Sequence, residues 1–260
     1  MKIKANGISI NYQVDGPDGA PWLVLSNSLA TNLTMWDDQA RELGRVFRVL
    51  RYDQRGHGLT EAPAGRYPFD LLIADALALM DALAIRKAHF GGLSMGGATA
   101  LGLAQKHADR LDRVIVCDSP CQSTPTSSQQ WEERIVVAQA QGMEALVEPT
   151  IARWFPPDVI KANPPHVDKV RQMIRSTSVD GFIGCAAALA DHDYAAAVAR
   201  VTRPVLFLVG EKDAAAPPMR KLNEALPGSR FVGLAGAGHI SNLDQPEGFT
   251  RAVKDFLAAK

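Results

Sequence analysis

Gly91-Gly92-Leu93-Ser94-Met95-Gly96-Gly97 is the stretch that decides how this chain is read. A strand-like run, Lys87-Ala88-His89-Phe90, leads into it, and a helix-like run from Ala98 to Gln105 leads out. A serine with a glycine two residues before and two residues after, on a strand–turn–helix junction, is the context in which G-x-S-x-G marks an exposed nucleophile. The sharp turn crowds the backbone beside the serine, and glycines at 92 and 96 relieve the crowding because they carry no Cβ. Ser94 Oγ is then expected at the carboxyl edge of a sheet. It would lie beside a helix N-terminus whose unpaired N–H groups and partial positive charge suit an oxyanion. A phosphate loop would instead close on Gly-Lys-Ser/Thr, which this stretch lacks.

Working outward, the chain alternates strand and helix signals. Ile8 to Val14 alternates with period two, Asp15-Gly16-Pro17-Asp18-Gly19 is a turn cluster, and Trp22–Leu25 and Val46–Leu50 are short apolar runs suited to central parallel strands. Leu71 to Leu83 carries apolar residues at helical spacing, and Val114–Cys117 reads as a further strand. This order predicts right-handed βαβ units and an α/β fold with a mostly parallel central sheet flanked by helices. The rhythm changes between about 119 and 200, where prolines are frequent and the best helical pieces are Trp131–Ala140 and Val167–Arg175. Strand and helix signals resume at Val205–Val209, Met219–Leu226, Arg230–Leu234 and Pro246–Ala259. The expected organisation is a core of residues 1–119 and 203–260, with a helical cap, 120–202, inserted between core strands.

Composition narrows the classes. Of 260 residues, 47% are hydrophobic, enough for a large buried core, and 28 basic residues balance 28 acidic ones. Without a basic excess, neither nucleic acid nor an anionic membrane is an expected partner. No apolar stretch reaches membrane-span length and Met1–Asn6 has no signal-like apolar run, so a cytoplasmic protein is expected. Cys117, Cys121 and Cys185 fit neither a disulfide framework nor a zinc spacing, so no metal site is expected.

A serine hydroxyl needs a base, usually histidine, and a carboxylate to orient and stabilise that histidine. Of six histidines, His239 sits in the flexible loop Gly236-Ala237-Gly238-His239 just after a strand. Asp213 follows strand 205–209, and Asp118, at the end of strand 114–117, competes for the carboxylate role. Ser94…Asp213…His239 runs in the order Ser…Asp/Glu…His, each member just past a strand, where ligands gather in open parallel sheets. His57, in Arg55-Gly56-His57-Gly58, is read as a structural residue packed beside Asp53 and Arg55. Oxyanion donors are expected from the backbone N–H of Met95 and from the loop Ser26-Asn27-Ser28-Leu29-Ala30. Leu29 is preferred there and Ser28 is the alternative, with a side-chain contact from Asn27 or Ser28.

With those residues in view, the chain resembles the α/β-hydrolase superfamily, and within it the 3-oxoadipate enol-lactonases of bacterial aromatic degradation. The elbow and Arg55-Gly56-His57-Gly58 are shared across the superfamily. Ser26-Asn27-Ser28-Leu29, Arg153-Trp154-Phe155 and His239-Ile240-Ser241-Asn242 narrow the match to the lactonases. Gly91 before Gly92, and Glu211-Lys212 before Asp213, depart from the pattern. The resemblance implies cofactor-free hydrolysis of the enol-lactone to 3-oxoadipate through an acyl-enzyme on Ser94. The substrate's free carboxylate calls for a local cation, since a guanidinium suits bidentate carboxylate contact. Arg134, Arg153, Arg171 and Arg175 are the candidates. Arg134 is favoured, with Trp131, Trp154 and Ser28 shaping the pocket.

Two other classes fit the same residues. One is a related carboxylesterase, perhydrolase or C–C hydrolase, because a fold does not select a substrate. The other is a hydrolase-like ligand receptor that turns over slowly. A small-molecule lactone is the expected partner, and assembly as a homo-oligomer is compatible with the sequence.

Overall fold

The computed structural model describes residues 1–259. Eight strands run β1 (Lys2–Ala5), β2 (Ile8–Asp15), β3 (Trp22–Ser26), β4 (Arg48–Tyr52), β5 (Ala88–Leu93), β6 (Leu111–Cys117), β7 (Val205–Gly210) and β8 (Arg230–Leu234). They form one sheet in the order β1-β2-β4-β3-β5-β6-β7-β8. From β4 through β8 all neighbours are parallel, whereas β1–β2 and β2–β4 are antiparallel. The parallel strands are covered on both faces, which is why β7 (Val-Leu-Phe-Leu-Val-Gly) is apolar throughout and buried along its whole length.

Helices α1 (Asp37–Leu43), α2 (Phe69–Ala82) and α3 (Met95–Lys106) belong to the first half of the sheet. The second half carries α9 (Ala216–Ala225), α10 (Ser241–Asp244) and α11 (Pro246–Ala258), with α1 packing on α11 and α2 on α3. Between β6 and β7 the chain leaves the sheet for α4 (Pro125–Gln141), α5 (Val147–Trp154), α6 (Pro157–Ala162), α7 (Pro165–Ser176) and α8 (Val179–Ala190). Prolines at the starts of α4, α6 and α7 suit the first helical turn, where their missing N–H leaves nothing unpaired. Thr124 and Ser127 cap α4 reciprocally. The α8 run, Gly181-Phe182-Ile183-Gly184-Cys185-Ala186-Ala187, packs on α4 and is buried nearly all round. Among the described residues, no helix is long and apolar enough to cross a membrane.

Two strands depart most from the sequence reading. β1 is a largely exposed edge strand, and Lys2-Ile3-Lys4 gives it no apolar run to detect. The strand expected at 46–50 lies at 48–52, because Val46 and Phe47 donate to the Leu43 carbonyl and close off α1 instead.

Candidate active site

Ser94 occupies the junction of β5 and α3 with φ 56° and ψ −111°, a conformation that L-residues adopt only under strain. The surroundings hold it there. Its N–H donates to the Cys117 carbonyl of β6 at 2.8 Å, and its carbonyl accepts from Ala98 N–H at 3.0 Å. A Cβ on Gly92 would lie 2.2 Å from the backbone of Gly96, and one on Gly96 would lie 2.2 Å from the Ser26 carbonyl oxygen. The two glycines are therefore required by close backbone approach, and the second seats the start of α3 directly against the end of β3.

His239 follows β8 by a short loop, and its Nδ1 is 2.9 Å from Asp213 Oδ2. The carboxylate accepts, so Nδ1 carries the proton, and Nε2 of the neutral ring is left as an acceptor. The imidazole is 14% exposed and the carboxylate 7%. The base is also fixed from the inserted helices. His239 N–H donates to the Trp154 carbonyl at 2.7 Å, and its ring lies 5.5 Å from that indole at 30°. Gly238 N–H donates to Asp244 Oδ2 at 2.7 Å, and Asp244 Oδ1 lies 3.2 Å from His166 Nε2 on α7.

Asp118 does not meet the imidazole. Its Oδ1 accepts from Gly210 N–H at 2.8 Å and its Oδ2 is bonded to the Ser241 hydroxyl, so it ties the end of β7 to the segment just after His239. Full burial, with the neighbouring Asp213 charge adding to it, pushes the Asp118 carboxyl well above the usual carboxylate range.

The loop after β3 lies beside this pair. Its N–H groups are committed at Ser28 (to Met35 Sδ, 3.4 Å), Ala30 (to His57 Nε2, 2.9 Å) and Thr31 (to the Ser28 carbonyl, 3.2 Å). Among the described residues the N–H of Leu29 meets no acceptor. Met95 begins α3, where the first turn leaves N–H groups without intrahelical partners. His57 thus does more than pack beside Asp53 and Arg55, since its ring braces this loop. Nδ1 donates to the Arg55 carbonyl at 3.0 Å, which makes Nε2 the acceptor, and burial pulls the imidazole below its ordinary pKa. Nothing in the sequence signals this contact, which joins residues 27 positions apart.

Ser94, His239, Asp213 and Leu29 line one cavity of about 200 Å³, together with Trp131, Trp154, Arg134 and Arg153 from the inserted helices. Ser28 is not in that lining; its Oγ is buried without a hydrogen-bond partner. Arg134 lies over the Trp131 ring at 4.7 Å. Burial, reinforced by the neighbouring Arg153 charge, lowers the Arg134 guanidinium to about 10. Among the described residues no carboxylate pairs with it. Arg171 and Arg175 are spent elsewhere, on Glu148 and Asp168 and on Glu144. No group of three or more His, Cys, Asp or Glu side chains among the described residues is arranged to hold a metal ion.

Comparison with known proteins agrees with this architecture. A family model described as the alpha/beta hydrolase fold matches residues 21–164. The chain is 35% identical over 254 residues to 3-oxoadipate enol-lactonase 2 of Acinetobacter baylyi, covering 97% of this chain and 94% of that one. A crystal structure of the enol-lactonase from Burkholderia xenovorans LB400 superimposes with a TM-score of 0.96 at 40% identity, covering 100% of both chains. A hydrolase from Pseudomonas aeruginosa PA01 gives a TM-score of 0.95 at 39% identity, covering 100% of this chain and 98% of that one.

Proposed function

The chain belongs to the α/β-hydrolase family and is a hydrolase, and from that premise we propose that it opens 3-oxoadipate enol-lactone to 3-oxoadipate by a Ser94–His239–Asp213 acyl-enzyme mechanism. Residues 120–202 act as the cap over a core of 1–119 and 203–260. The observation that carries the reading is one cavity holding a strained serine, a histidine bonded to a carboxylate, and an arginine with no acid of its own.

Ser94 Oγ attacks the lactone carbonyl while His239 Nε2 takes its proton, and Asp213 stabilises the resulting imidazolium. The negative charge on the tetrahedral oxygen is received by the N–H groups of Leu29 and Met95, each contributing ~3 kcal/mol to transition-state stabilisation. The carbon–oxygen bond of the ring then breaks. The enol oxygen leaves with the proton from His239 and ketonises, which removes it as a nucleophile that would close the ring again. Water, giving its proton to His239, attacks the acyl carbon, and Ser94 leaves with that proton. Lactone plus water becomes the keto diacid, with no cofactor.

Substrate choice follows from the cap. At about 200 Å³ the cavity is smaller than the ~300–1,000 Å³ that drug-sized ligands occupy, which favours a compact ring over a long acyl chain. Arg134 provides the unpaired cation that a substrate carboxylate needs, and Trp131 and Trp154 the apolar wall. On this reading the reaction serves the breakdown of aromatic compounds, the setting that the sequence resemblance implies.

Steady-state hydrolysis of the enol-lactone by wild type and Ser94→Ala tests the mechanism. The variant, folded by circular dichroism, should lose roughly 10³-fold or more in kcat. Comparable activity in both would replace the acyl-enzyme with direct water attack. Turnover of neutral p-nitrophenyl esters with no turnover of the lactone would replace lactonase with a general esterase.

A further inference from the structure

The Ser28 carbonyl accepts three hydrogen bonds: from Asn27 Nδ2 at 2.8 Å, from Thr31 N–H at 3.2 Å and from Thr31 Oγ1 at 2.8 Å, whose single proton prefers this oxygen to the weaker acceptor Met35 Sδ at 3.0 Å. A carbonyl oxygen has two lone pairs, so this one is saturated and its direction is fixed. The peptide joining Ser28 to Leu29 is planar and trans, which sets the Leu29 N–H opposite to that carbonyl. Whatever holds the carbonyl therefore aims the N–H. Ser28, Asn27 and Thr31 are all fully buried, so these bonds do not compete with water.

Each side chain of this clamp is itself held. Asn27 Oδ1 accepts from Gln54 N–H at 2.9 Å, Asn27 Nδ2 also reaches the Thr31 carbonyl at 3.1 Å, and Gln54 Nε2 donates to the Asn27 carbonyl at 2.7 Å. On the other side of Leu29, Ala30 takes a left-handed φ of 57° and gives its N–H to His57. The segment also touches the start of α3, since a Cβ on Gly96 would lie 3.0 Å from the Asn27 carbonyl oxygen. The Leu29 and Met95 donors therefore sit on segments in direct contact.

We propose that Thr31 and Asn27 are positioning residues for the reaction, aiming the Leu29 N–H at the oxygen that becomes negative in the transition state. The inference rests on the hydrolytic reading above but not on the lactone. Thr31 acts through its hydroxyl and Asn27 through its amide. Neither touches substrate, and the clamp stabilises the transition state without contributing to ground-state binding.

The deciding pair is Thr31→Val, which keeps the shape and deletes the hydroxyl, and Thr31→Ser, which keeps the hydroxyl. Loss of a whole oxyanion donor lowers kcat by about 10²–10³. Thr31→Val leaves two of the three bonds, so a drop of roughly tenfold in kcat is expected, with KM within about twofold of wild type. Thr31→Ser should restore kcat to within about twofold. A boronic acid that forms a tetrahedral adduct on Ser94 should bind roughly tenfold more weakly to Thr31→Val, and 3-oxoadipate, the product, should bind unchanged. Equal loss in both variants, or a change confined to KM, would overturn the inference. Should Thr31→Val not fold, Thr31→Ala against Thr31→Ser carries the same comparison. Every measurement is made on the enol-lactone and on p-nitrophenyl acetate. Ester turnover without lactone turnover would remove the proposed substrate and still test the clamp, whereas wild-type protein inert toward both would overturn the hydrolytic reading and the clamp together.

Discussion

Replacing Arg134 with methionine separates a substrate-binding cation from a surface charge. The guanidinium is mostly buried on the Trp131 ring, faces the cavity of Ser94, and feels the Arg153 charge more than that of Glu133, with which it forms no ion pair. Methionine retains an apolar stem against the indole and deletes the charge. A hydrogen bond to an ionised group contributes about 1.5–3 kcal/mol, or roughly 10- to 150-fold in affinity. Arg153 is exposed at the rim and leaves the site open to water, so the lower end applies, about 10- to 30-fold. The expected result is a KM for the anionic lactone raised by that factor, with kcat and the KM for a neutral p-nitrophenyl ester changed by less than about twofold. Thermal unfolding supplies a second readout. A desolvated charge without a partner destabilises the fold, so Arg134→Met should be at least as stable as wild type. An equal rise in KM for both substrates, or none for either, would refute the carboxylate role.

The two buried carboxylates should separate in kinetics. Asp213→Asn should lower kcat by about 10³–10⁴ by spoiling the tautomer of His239. Asp118→Asn should stay within about tenfold of wild type, because its amide still accepts from Gly210 N–H and still bonds Ser241. Equal losses in the two kcat values would reassign the roles. Acid should also destabilise the fold through its buried imidazoles. Burial holds His57 and His192 below their ordinary pKa, so the unfolded chain binds more protons. Their contribution is complete above about pH 6.5 and shrinks as pH falls below it, by up to about 1.4 kcal/mol per pH unit for each group. Asp75 and Asp118, raised by burial, act in the opposite sense as they take up protons. His192→Phe, which keeps the stacking on Phe69, isolates one group. Its denaturant midpoint should fall less steeply than that of wild type between pH 6.5 and 5, and parallel curves would contradict the assignment.

What the sequence could reveal was what local geometry dictates. Gly92 and Gly96 are needed because the elbow brings backbone within 2.2 Å of where their Cβ atoms would be, and that requirement appears as a spacing of residue types. The parallel strands were legible as apolar runs because both faces are covered. β1 was not, since an edge strand of alternating lysines carries no such pattern. Helix α8 was missed for the opposite reason. It is apolar nearly all round and so lacks an amphipathic period, and Gly184 is there because a Cβ would strike the Tyr67 ring at 2.3 Å. The choice between Asp213 and Asp118 turned on which strand-end loop reaches His239, a matter of distances between elements far apart in sequence. The bond from Ala30 to His57 and the clamp on the Ser28 carbonyl were hidden for the same cause.

The candidate site is therefore assembled from parts of unequal origin. Ser94 is placed by the sheet, through one strained junction whose neighbours are backbone atoms of β3 and β6. His239 is placed by the inserted helices as much as by the core. The Trp154 carbonyl takes its N–H at 2.7 Å, and a Cβ on Gly238 would lie 2.2 Å from that same oxygen. From α7, His166 meets the carboxylate that holds Gly238 N–H. The glycine loop that carries His239 is thus fastened by residues 120–202 as well as by the core. Residues 120–202, which bring Arg134 and Trp131 to the cavity, also supply the Trp154 carbonyl and the His166 ring that fasten the His239 loop. On the proposed mechanism, a shift of α5 or α7 would reach the chemical step through the His239 backbone. On that mechanism, the inserted helices would act in catalysis as well as cover the cavity.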